Sequence, residues 1–108
     1  MVILPVEGYR IYYYGSAEGY KSSRANINLL DAKSNIMAVI KFHDEGETFG
    51  EDYQTDDIIW MHLPSNMLHS VVDVLRNEKP IFIQFAAKRA FLSTSEEPVG
   101  EGDEDLSP

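Results

Sequence analysis

Between Pro64 and Pro80 lies the one stretch of this chain whose apolar residues recur at helical spacing: Met67, Leu68, Val71, Val72, Val74 and Leu75 fall on one face. Proline lacks the N–H that a helix interior needs and pushes the residue before it towards an extended conformation, so the two prolines bound the helix. Ser65 is placed to cap its N-terminus, Arg76 to meet the negative end of its dipole, and Asn77 to close it in a left-handed conformation. The expected helix covers about 65–77. A chain with one helix and an apolar period of two almost everywhere else must bury that helix on a sheet.

Six segments carry the strand pattern. Residues 10–14 are aromatic and β-branched, and 26–30 sets Ile27 and Leu29 on one face against Asn26 and Asn28 on the other. Residues 36–43 alternate Ala38, Ile40 and Phe42 with Met37, Val39, Lys41 and His43, and 58–63 runs into Pro64. Beyond the helix, 80–85 and 90–94 form a closing hairpin with Lys88 and Arg89 at its tip. Residues 15–19, with two glycines and a serine, and the polar 31–35 read as turns. The expected fold is α+β: a twisted antiparallel sheet of about six strands, made of a four-strand meander, a helix packed on one face, and the closing hairpin.

Carboxylates are segregated along the chain. Seven lie in 44–57 and six in 96–105, with no Lys or Arg in either stretch, while the other segments hold five acids against nine bases. The formal net charge of -9 therefore belongs to a loop and a tail, and the body of the protein is mildly basic. At 108 residues the chain is the size of one domain. It is expected to occupy 1–95, with a solvated acidic loop at 44–57 and an acidic, disordered tail at 96–108 whose composition cannot offset the entropy of ordering. Such a tail can keep a protein soluble or compete with nucleic acid for a basic face. The absence of Cys excludes disulfides, thiolate metal sites and cysteine nucleophiles, and fits a reducing compartment. Met1 to Pro5 is too short for a signal-peptide core, and no segment reaches the roughly 20 apolar residues that cross a bilayer. A cytoplasmic protein with no membrane contact is expected.

Arg10, Tyr12 and Tyr14 share one face of the first strand, and Lys21, Arg24, Lys88 and Arg89 are the neighbouring cations. Flat rings on a sheet accept unpaired bases, and cations hold phosphates, so these seven residues are the candidate nucleic-acid-binding set. Tyrosines are also ordinary strand residues that cover a core edge and wet their hydroxyls. The acidic loop offers hard oxygen ligands without the spacing of an EF-hand, and His43, His62 and His69 lack the spacing of a zinc motif. No serine sits in a nucleophile elbow and no glycine loop forms a phosphate cradle, so no catalytic residue, metal or cofactor is assigned.

The order of four strands and a helix looks like the repeating unit of the Whirly-type single-stranded-DNA-binding transcriptional regulators. The segments 75–80 and 91–101 are similar to small bacterial proteins, cyanobacterial ones among them, associated with that fold. The resemblance spans about residues 9–100 and departs from the family's binders in net acidity. It implies single-stranded nucleic acid as ligand and a homodimer as assembly. One helix covers only one face of such a sheet, and this independently asks for a partner on the other. The reading is a non-catalytic binding module for single-stranded nucleic acid. The alternatives are a homo-oligomeric interaction or assembly domain and, third, a small metal-dependent enzyme.

Overall fold

Three strands of alternating pattern fold back on one another as their sequence asks. In the computed structural model, which describes residues 1–16 and 23–95, β2 (Gly8–Tyr13), β3 (Ala25–Leu30) and β4 (Ile36–His43) form an antiparallel meander following a short β1 (Val2–Pro5). Then come β5 (Tyr53–Thr55), β6 (Ile58–Pro64), a 3-10 turn at Ser65–Met67, α1 (Leu68–Asn77), β7 (Ile81–Ala86) and β8 (Arg89–Thr94). The class is α+β, and among the described residues there is one α-helix and the strand pairing is antiparallel except between β4 and β6.

The strands divide into two sheets, β2-β3-β4-β6-β5 and β1-β7-β8. β6 is parallel to β4 and does not continue the meander. A parallel neighbour needs a crossover of about a dozen residues or more, and the acidic stretch supplies that length. That stretch is also not loop throughout: Tyr53–Thr55 pairs with Trp60, Ile59 and Ile58 as the edge strand β5. β1, which carries too few residues to show a period, pairs with β7.

The core lies between the inner face of the larger sheet, α1 and the smaller sheet. Ile27, Leu29, Ile40, Phe42, Ile59 and Ile83 are fully buried there with Leu68, Val71 and Leu75 from the helix. Each such side chain contributes about 1.5–3 kcal/mol by leaving water. The helix ends differ from expectation. Ser65 lies in the 3-10 turn and makes no cap, and Met67 precedes α1 without a side-chain hydrogen bond. Asn77 stays helical, its Nδ2 donating to the carbonyl and the Oδ1 of Asp73, while the Glu78 N–H donates to the Val74 carbonyl. Arg76 does stand in the last turn. Among the described residues no helix is long and apolar enough to cross a membrane.

Candidate functional site

Because successive strand residues point to opposite faces, the register that buries Ile27, Leu29, Ile40 and Ile59 sends their neighbours to the outer face. Two rows cross the larger sheet there. One runs Arg10, Asn28, Val39, Trp60, Tyr53, and the other Tyr12, Asn26, Lys41, His62. α1 packs on the opposite side. Tyr53 stacks on Trp60 at 5.9 Å between ring centroids, and Lys41 Nζ lies 5.6 Å from the Trp60 ring, within reach of a cation–π attraction.

A shallow depression of about 250 Å³ opens on this face, lined by Tyr12, Tyr14, Asn26, Asn28, Ile36, Val39, Ile58 and Trp60. It is smaller than the roughly 300–1,000 Å³ of sites for drug-sized ligands. Asn26 Nδ2 donates to the Tyr14 hydroxyl at 3.3 Å, but Asn26 Oδ1 and Trp60 Nε1 are buried without a hydrogen-bond partner. An acceptor and a donor left this way each cost about 1–3 kcal/mol, so two on residues lining one depression are unusual.

Rings continue from the sheet onto the crossover. Phe49 lies flat on His43 at 4.7 Å, and His43 stacks on His62 at 5.0 Å with His43 Nε2 and His62 Nδ1 2.8 Å apart. That contact needs one ring to donate and the other to accept, so at least one nitrogen is unprotonated. Burial pushes the His62 pKa below its ordinary value; His43 and Lys41 add to the shift and Asp52 opposes it.

The acidic stretch, which sequence offers as a source of hard ligands, spends two of its carboxylates on the fold. Asp52 Oδ1 accepts the His62 N–H at 2.8 Å and its Oδ2 accepts the Ala90 N–H at 3.0 Å, tying β6 to β8. Asp44 takes the Arg24 guanidinium, with Nη2 to Oδ2 at 2.7 Å and Nε 3.1 Å from both oxygens. The hydrogen bond from Arg24 holds the Asp44 carboxyl below the usual carboxylate range. Among the described residues no group of three or more His, Asp or Glu is placed to hold a metal ion.

The seven expected binding residues are thus scattered by the fold. Arg10 and Tyr12 are exposed on the outer face and Tyr14 borders its depression. Arg24 is engaged by Asp44 and by the carbonyls of Tyr14 and Ser16, to which its Nη1 donates at 2.8 and 2.6 Å. Lys88 and Arg89 are exposed at the β7–β8 turn, in the other sheet, while three strand intervals, about 14 Å, separate β2 from β6. Lys21 lies outside the described residues. Trp60, Tyr53, Lys41, Asn26 and Asn28 join the site unannounced, although the alternation in β4 and β6 already puts Lys41 and Trp60 opposite the core residues. A larger apolar groove, about 500 Å³ between α1 and β8, has Ser70, Ser93 and Thr94 as its polar members and presents no ionisable group.

Fold and face together define an α+β domain whose outer sheet surface is aromatic, amide-lined and cationic. Compared with known proteins, the chain matches no family model, and no curated protein and no solved structure matches it significantly.

Proposed function

We propose that this protein is a non-catalytic binding module that takes single-stranded nucleic acid on the sheet face turned away from α1. One observation carries the reading: the register aligns Tyr12, Trp60 and Tyr53 with Arg10 and Lys41 on that face. Base stacking on such rings contributes about 1–3 kcal/mol per base and tolerates any sequence, while the two cations meet phosphates. Arg24 supports the face indirectly by fixing the end of β2, its Nη1 donating to the Tyr14 carbonyl. The reading agrees with what the resemblance to Whirly-type regulators implies, and with a cytoplasmic setting.

Trp60 is the sole tryptophan, so its fluorescence reports on the site directly. Labelled single-stranded DNA and RNA should bind at low salt with Trp60 quenched. Trp60→Ala should weaken binding about tenfold or more, in line with the loss of one stacked base. Lys41→Gln should flatten the salt dependence, and a chain ending at Ser95 should bind more tightly than the full chain. Absence of binding by either length at low salt would discard the reading and leave an assembly domain in its place.

A further inference from the structure

Among the described residues four strand edges end the two sheets, and three of them are guarded in ways proteins use against unwanted pairing. β5 has three residues, followed directly by Asp56 and Asp57; β1 has four and ends in Pro5; β8 has its Ala90 N–H taken by Asp52. β2 is different. It runs six residues without proline or lysine, and it leaves Tyr13 65% and Tyr12 39% exposed.

Its backbone is also oriented for a partner. The Tyr14 N–H donates to the Arg24 carbonyl at 3.0 Å, which fixes the phase of the β2–β3 ladder. Antiparallel alternation then turns the backbone groups of Tyr12 and Arg10 towards β3, and those of Tyr9, Ile11 and Tyr13 towards the open edge. A second strand can bond only through these three residues.

We propose that the occupant is a second copy of this chain, its β2 antiparallel to the first, with the two-fold axis at Ile11. In that register Tyr9 pairs with Tyr13 of the second copy, Ile11 with Ile11, and all three outward residues of each strand find partners. An axis at Tyr9 or Tyr13 also suits the backbone but overlaps part of the strand only; an axis at Arg10 pairs Tyr9 with Ile11 yet leaves Tyr13 without a partner in β2 and sets arginine against arginine, and an axis at Tyr12 pairs Ile11 with Tyr13 yet leaves Tyr9 without one. Side chains agree with the register. On the outer face Arg10 meets Tyr12 of the second copy, guanidinium beside ring, and no arginine opposes an arginine. On the inner face Tyr13 gains an aromatic neighbour. The two larger sheets become one of ten strands, with the Arg10 and Tyr12 rows of both copies adjoining at its centre.

The pairing does not depend on nucleic acid; only the doubling of the binding face rests on the proposed function. Because the chain has no cysteine, disulfide trapping reads the register cleanly. Hydrogen-bonded antiparallel partners have Cα atoms about 5.5 Å apart, inside the roughly 4.4–6.8 Å that a disulfide spans. The full chain should sediment as a dimer. Ile11→Cys, and separately the double variant Tyr9→Cys with Tyr13→Cys, should yield disulfide-linked dimers under mild oxidation. Tyr13→Cys alone should not, because its two copies lie about 13 Å apart along the strands. Tyr13→Pro, which removes an edge N–H and spares the β3 ladder, should shift the chain to monomer. A monomeric full chain at its highest soluble concentration, a dimer unaffected by Tyr13→Pro, or equal trapping at positions 11 and 13 would overturn the pairing. Oligonucleotide binding, measured separately, succeeds or fails independently of the strand pairing.

Discussion

His62 shows how one residue can make this fold sensitive to pH. Burial first, and His43 second, oppose its protonation in the folded state. The unfolded chain takes up that proton near the ordinary histidine value of about 6.5, so the folded state loses ground as pH falls from there through the lowered folded-state value. Stability should be flat above that range. In urea titrations the wild type should lose more stability between about pH 7.5 and about pH 5.5 than His62→Gln, which lacks the titrating ring; equal losses would place the pH dependence elsewhere. Asp44 and Asp31, both held below the usual carboxylate range, do not titrate across that window. Arg24 marks the limit of reading at this scale. Its residue type fits a phosphate as well as a carboxylate, and its partner lies 20 positions away, so only the folded chain shows that Asp44 takes it.

At the scale of elements, the two two-residue hairpin turns among the described residues differ in how well their residues suit them. Asp56 and Asp57 have φ of 51° and 65°, and Ala87 and Lys88 have 52° and 64°. Two successive positive φ values make the type I′ turn that matches strand twist, for which Asn-Gly is preferred. A residue with a Cβ costs roughly 1–2 kcal/mol in that region, and Ala and Lys lack the local hydrogen bonding that lets Asp and Asn tolerate it. Ala87→Asn combined with Lys88→Gly should therefore stabilise the protein by about 1 kcal/mol, a rise in Tm of roughly 4–8 °C for a domain of this size. A lower Tm in thermal scans would contradict the turn assignment. The elements themselves were largely legible: α1, β3, β4, β6 and β7 stand near where periodicity puts them. The direction of β6 was not, because alternation looks the same in parallel and antiparallel strands. The length of the acidic crossover permits the parallel direction, and the pairing of β6 with β4 in the folded chain fixes it.

Across the whole molecule, Asp52 joins the two sheets through side-chain bonds to backbone groups of both. Asp52→Ala would leave the N–H groups of His62 and Ala90 without their acceptor, at a cost of about 2 kcal/mol or more, and Asp52→Asn, which keeps one oxygen, should lose less. Chemical denaturation followed by Trp60 fluorescence and by far-UV circular dichroism checks both claims. In the wild type the two probes should give one coincident transition, because the sheets share a single core. Sequence alone determined what short-range physics controls: the one helix, the period of the strands, the residues of the core, and the segregation of acid from the basic body. Tertiary structure decided which distant groups meet. It set β6 parallel to β4, spent Asp44 and Asp52 on the fold, aligned Tyr12, Lys41 and Trp60 on one face and left β2 open, because strand register and chain crossing are fixed by contacts among residues far apart in sequence.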